Sequence, residues 1–163
     1  MIIIECNNDK QMIYRLGFTE RKMIHAGSKG KVLEQLENER KPSIGIVDED
    51  NPANKSETIR NYIKAKEKRT ATKKSITLMK KKNDKDKTLI VISPRLEVWI
   101  YEIARRNKLS LNKYDLPDNP DILHNDTSKQ TSKKFQNLLI DIAKIGDWEF
   151  TLMKKWITET IQQ

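Results

Sequence analysis

Three short apolar runs alternate with two segments whose apolar residues recur at helical spacing. The runs are "IIIE" (2–5), "RKMIHAG" (21–27) and "SIGIV" (43–47). Met12, Ile13 and Leu16 lie between the first two, with Gly17 placed to end a helix. Val32, Leu33 and Leu36 lie between the second and third, on a helix that Ser28 is placed to open. Strands separated by helices cannot pair as hairpins and are expected side by side in a parallel sheet with helices on its faces. A third helix is expected near 55–67, with Ile59, Tyr62 and Ile63 on its apolar side. Two more strands are expected at 75–79 and 88–93, joined by the charged turn "KKKNDKDK". The expected fold class is therefore α/β, a mostly parallel sheet sandwiched by helices.

Beyond the sheet the pattern turns helical. "SPRLEVWIYEIARRNKL" (93–109) carries Leu96, Trp99, Ile100 and Ile103 at helical spacing, with Ser93 as the expected N-cap and Pro94 at the first helical position. The proline-bearing stretch 114–132 is expected to be loop, with one helical turn after Asn119 and Pro120. Phe135, Leu138, Leu139, Ile142 and Ile145 mark an amphipathic helix over 133–146, stopped by Gly146. Asp147 is placed to cap a last helix whose Trp148, Leu152, Trp156 and Ile161 are expected to pack. The chain divides accordingly into an α/β domain over 1–109 and a C-terminal loop and helical cap over 110–163.

The 163 residues carry a net charge of +9, concentrated in one window. Residues 61–90 hold eleven Lys and Arg against three acids, so this window supplies +8 of the total. Lys64, Lys66, Lys68, Arg69, Lys73, Lys74, Lys80, Lys81 and Lys82 form the part expected to grip a nucleic-acid backbone, DNA or RNA. Tyr62 is the one aromatic there, so base stacking is not indicated. Cys6 is the only cysteine, which excludes an internal disulfide and a cysteine-based zinc site. The start "MIIIE" is too short for a signal peptide, and no run is long enough to span a membrane. A reducing cytoplasm is the expected location.

Two of the apolar runs end in acids. The first continues as "IIIECNND", giving Glu5 and Asp9; the third as "IGIVDED", giving Asp48 and Asp50. In an open parallel sheet, ligands bind beyond the carboxyl ends of the strands, where strand order reverses. Asp48 and Asp50, two apart on an extended chain, would point the same way, with Glu49 facing elsewhere and Glu5 on a neighbouring strand beside them. Clustered carboxylates repel unless a cation neutralises them. Hard oxygen ligands point to Mg²⁺ or Mn²⁺, and two such ions can clamp the attacking and leaving oxygens of a phosphodiester. His25 and His124 are not at metal-ligand spacing and are expected to be structural. "GSKGKV" is not a phosphate-binding P-loop, and no nucleophile-elbow GxSxG occurs.

Residues 1–105 resemble the Toprim domain shared by topoisomerases, bacterial primases and small nucleases of the overcoming-lysogenisation-defect type with their phage-defence relatives. The resemblance is carried by Glu5 and Asp9 in "IIIECNND", Asp48 and Asp50 in "IVDED", the glycine-lysine segment "HAGSKGKV" (25–32) and "SPRLEVWI" (93–100). It implies that Glu5, Asp9 and Asp48 hold one Mg²⁺, that Asp50 and Glu97 hold a second, and that Lys29 touches phosphate. One departure is Cys6, where the family carries glycine directly after the first acid.

The leading expectation is a Mg²⁺-dependent nuclease, with phage defence as the role the resemblance suggests, and with Glu5, Asp48, Asp50 and Lys29 in catalytic roles. A catalytically silent nucleic-acid-binding or accessory subunit is the alternative. A third reading is an interaction module whose helices dock a partner such as an ATPase.

Overall fold

Ile2, Ile3 and Ile4 are all buried, because successive strand residues point to opposite faces and both faces of this sheet are covered. The structure is a computed structural model and describes residues 1–49, 57–69, 74–126 and 128–162. Its strands are β1 (Ile2–Ile4), β2 (Met23–His25), β3 (Ser43–Asp48), β4 (Tyr62–Arg69), β5 (Lys74–Lys81) and β6 (Asp84–Ile92). The helices are α1 (Asn7–Arg15), α2 (Lys29–Asn38), α3 (Leu96–Arg106), α4 (Pro120–Asn125), α5 (Lys129–Ile145) and α6 (Trp148–Ile161). They build a mixed α/β fold around one six-stranded sheet of order β2-β1-β3-β6-β5-β4. Strands β2, β1, β3 and β6 pair in parallel, and β5 and β4 add antiparallel at one edge. The expected α/β class with a mostly parallel sheet is what forms.

The two faces hold separate cores. Ile3, Val47, Leu89 and Val91 pack under α2 through Val32, Leu33 and Leu36. Gly45 lets that helix lie close: a Cβ there would stand 3.1 Å from side-chain atoms of Val32, Leu36 and Leu89. On the other face Ile2, Ile4, Ile44, Ile46, Ile90 and Ile92 meet Met12 and Ile13 of α1, Trp99 and Ile103 of α3, Phe135 and Leu139 of α5, and Trp156 and Ile157 of α6. The C-terminal helices therefore close the same core as the sheet.

The caps follow the sequence in most places. Ser28 accepts from the Lys31 amide, Asn119 from Asp121 and Asp147 from Glu149, and Gly146 ends α5 at φ 71°. Four expectations fail. The helix near 55–67 is instead a 3₁₀ turn at Glu57–Asn61 followed by β4, because Tyr62, Ile63 and the lysines after them pair along β5. Ladder pairing outweighs a short stretch of apparent helical spacing. The charged turn contracts to Lys82 and Asn83, as β5 and β6 run on through their lysines. Helix α3 starts two residues late: Arg95 is its N-cap, Leu96 its first residue, and the Ser93 hydroxyl bonds the Glu49 carboxylate instead. In α6 the buried face is Phe150, Met153, Trp156 and Ile157, while Trp148 is exposed with the Arg106 guanidinium 5.1 Å from its ring centroid.

A polar knot ties α3 to α6 and the sheet. The Glu149 side chain is completely buried. It accepts from the Trp99 indole (2.9 Å), the Arg106 guanidinium (2.9 Å) and the Ser75 hydroxyl (2.5 Å). Arg106 also pairs with Asp147, which accepts from Asn107 Nδ2 at 2.8 Å. A buried carboxylate persists only with its lone pairs filled in this way.

Candidate functional site

Strand β1 has β2 on one side and β3 on the other, and the chain visits them in that order. Strand order therefore reverses at β1, and the carboxyl ends of β1 and β3 flank the crevice where such sheets bind ligands. Glu5 follows β1 directly, and Asp48 is the last residue of β3. Asp9 sits in the first turn of α1 and Glu97 in the first turn of α3. These four acids, distant in sequence, meet at this edge.

Asp48 caps a helix it does not belong to. Helix α3 has no capping side chain at Arg95, and the Leu96 amide donates to Asp48 Oδ1 at 2.9 Å. That bond stabilises the carboxylate, yet the carboxyl pKa is pushed up to about 9, first by burial and then by the charges of Asp9, Glu97 and Glu5. Asp9 is buried and accepts from the Cys6 amide at 2.9 Å, closing the capping box of α1. Burial raises its pKa to about 6 against the pull of that amide. Burial also pushes the Cys6 thiol up. Among the described residues, no group of three or more His, Cys, Asp and Glu side chains stands ready to hold an ion. Asp9 serves the start of α1 with its carboxylate and adds negative charge near Asp48.

Glu97 is buried and held from two sides. Asn8 Nδ2 donates to Oε1 at 2.9 Å, and His124 Nδ1 lies 3.2 Å from Oε2. Helix α4 brings His124 there, anchored by buried Leu123 and by an ion pair of Asp121 with Arg95. A cavity of about 340 Å³ opens beside the acids, lined by Glu5, Asn8, His25, Gly27, Glu97 and His124 among others. Both histidines, expected to be structural, thus border the site. His25 could have been found from the sequence, since it ends a strand at the same sheet edge. His124 had no such signal, because it arrives from a loop region by tertiary packing.

Lys29 Nζ donates to the backbone carbonyls of Asp48 (2.7 Å) and Glu49 (2.9 Å). Its ammonium pins the end of β3 to the start of α2, so it positions the acids. A Lys29→Met protein is expected to keep its fold, lose about 1–2 kcal/mol in urea unfolding, and bind Mn²⁺ several-fold more weakly. Unchanged Mn²⁺ affinity by calorimetry would remove the positioning role. Glu49 turns to Ser93, as expected from alternation. Asp50 lies outside the described residues.

No known family's sequence profile, no curated protein and no solved structure matches this chain. The site rests on its own geometry.

The sheet splits the basic window. Ladder register puts the Lys68, Arg69 and Lys74 backbones at the Asp48 end of the sheet, and Lys80, Lys81 and Lys82 at the opposite end. Lys64 and Lys66 are exposed between them on β4. Lys81 is paired with Glu37, whose other oxygen accepts from the Tyr62 hydroxyl at 2.9 Å. Lys73 lies outside the described residues. The expected single basic surface is therefore two, of which one lies three strands, about 14 Å, from Asp48. No helix among the described residues is long and apolar enough to cross a membrane.

Proposed function

We propose that this protein is a metal-dependent nuclease of Toprim type that hydrolyses phosphodiester bonds. The observation that supports the reading is the meeting of Glu5, Asp9, Asp48 and Glu97 at the strand-order reversal, where the Asp48 carboxyl pKa is pushed up to about 9, first by burial and then by the charges of the other three acids. Carboxylates brought this near one another repel, and a hard divalent cation is what neutralises them. Glu5, Asp48 and Glu97, with Asp50, would hold Mg²⁺ or Mn²⁺. Bound there, the ions would supply a water of lowered pKa and neutralise charge on the phosphate.

The chain's own groups do the rest. The α3 amide on Asp48 and the Lys29 ammonium on the β3 carbonyls fix the carboxylates before substrate arrives. Asn8 and His124 orient Glu97. The exposed Lys64 and Lys66 of β4 would hold the phosphate backbone at the far edge of the sheet by counterion release.

A second reading is a silent nucleic-acid-binding or accessory subunit, docking a partner such as an ATPase. It is favoured by one observation, that among the described residues no three of the acids close on a common point. Incubation with plasmid DNA and with an RNA transcript separates the two. A nuclease cuts one of them in Mg²⁺ or Mn²⁺ and stops on EDTA. Salt-sensitive retention without cleavage under any metal would leave the binding subunit.

A further inference from the structure

We infer that the cavity beside the acid cluster is a subsite for one unpaired nucleotide, so that the substrate is a single strand or a frayed end and not an intact duplex. This rests on the nuclease reading for the position of the phosphate, but not for the binding it describes. The cavity is about 340 Å³, at the small end of the range for ligand pockets and too small for a base pair with its stacked neighbours. Among the described residues its wall contains Glu5, Glu97 and Asp126 and neither lysine nor arginine. A phosphate is repelled there, whereas a neutral base or sugar is not.

The polar groups suit a base edge. Asn8 keeps its carbonyl oxygen after its amide bonds Glu97. His124 Nε2 makes no hydrogen bond among the described residues, while Nδ1 faces Glu97. His25 ends β2 in register with Ile4, the residue before Glu5. It is exposed and supplies a second imidazole on the opposite element. Imidazole rings stack on unstacked bases, and amides and carboxylates bond their Watson–Crick edges, which a duplex hides. With its base in this cavity, the nucleotide's phosphate stays outside the acidic wall, and under the nuclease reading a divalent cation on the acids would be what holds it. The walls come from the end of β1 and the start of α1, from β2 and α3, and from α4 and α5 of the C-terminal region.

The test is fluorescence anisotropy in Ca²⁺ with labelled 12-nucleotide single strands, one DNA and one RNA, and with a blunt hairpin of each. One of the strands is expected to bind at least about tenfold more tightly than its hairpin. His25→Ala is expected to lose about five- to tenfold on the strand and nothing on the hairpin, and His124→Ala to lose at least as much on the strand. His25 is exposed, so its variant keeps the core. Equal affinity for strand and hairpin, no binding of the strand, or strand affinity untouched in both variants overturns the inference. Cleavage is scored separately in Mg²⁺. Strand-selective binding without cleavage sinks the nuclease reading and leaves the subsite standing.

Discussion

An Asp48→Asn protein is expected to melt higher than the parent in metal-free buffer at pH 8, and to show no nuclease activity. The carboxyl of Asp48 titrates near 9 in the folded protein against 3.8 in the unfolded chain. Between those values the folded state binds a proton that the unfolded state does not. The raised group's contribution to stability is therefore complete below pH 3.8 and is lost progressively as pH rises toward 9. Asparagine does not ionise, and its carbonyl still accepts from the Leu96 amide. With the neighbouring acids free to relax, the gain at pH 8 is expected to be about 1–3 kcal/mol, a rise of roughly 3–10 °C. At pH 5 the gap is expected to narrow. Mg²⁺ is expected to stabilise the parent and not the variant, because only the parent offers the full ligand set. Cleavage is expected to fall by about 10³-fold or more. A variant less stable than the parent at both pH values would mean that the acids do not repel one another in the free protein.

Glu149→Ala is expected to be the most destabilising single change at a polar residue. It strips the acceptor from the Trp99 indole and the Ser75 hydroxyl and leaves Arg106 with Asp147 alone. Breaking one side of a buried ion pair costs about 3–5 kcal/mol, here on the order of 10 °C, measured by urea and thermal unfolding. The effect should reach the site, because α3 begins with Leu96 and Glu97, which meet Asp48, Asn8 and His124. Mn²⁺ affinity should weaken in the variant even at temperatures where it is folded. A loss under 1 kcal/mol would show that the knot is incidental.

The sequence made some of this legible and hid the rest for physical reasons. Helices α1, α2 and α5 announce themselves because their apolar residues recur at helical spacing, and strands β1 and β3 because they are short unbroken apolar runs. Glu5 and Asp48 could be paired because carboxyl ends of parallel strands share an edge. The strand β4 was hidden, since Ile59, Tyr62 and Ile63 have helical spacing and only the ladder with β5 decides the matter. The division of the basic window was hidden too: charges adjacent in sequence are carried by an antiparallel hairpin to opposite ends of the sheet. Asn8 and His124 on Glu97, and Lys29 on the β3 carbonyls, depend on side chains meeting across the fold, which no local pattern encodes.

Diffraction from crystals soaked in Mn²⁺, recorded at a wavelength where manganese scatters anomalously, tests the convergence of the acids most directly. A peak bounded by oxygens of Glu5, Asp48 and Glu97, absent in crystals of Asp48→Asn, is the expected result. No peak at that edge at millimolar Mn²⁺, or a peak that persists in the variant, would contradict it.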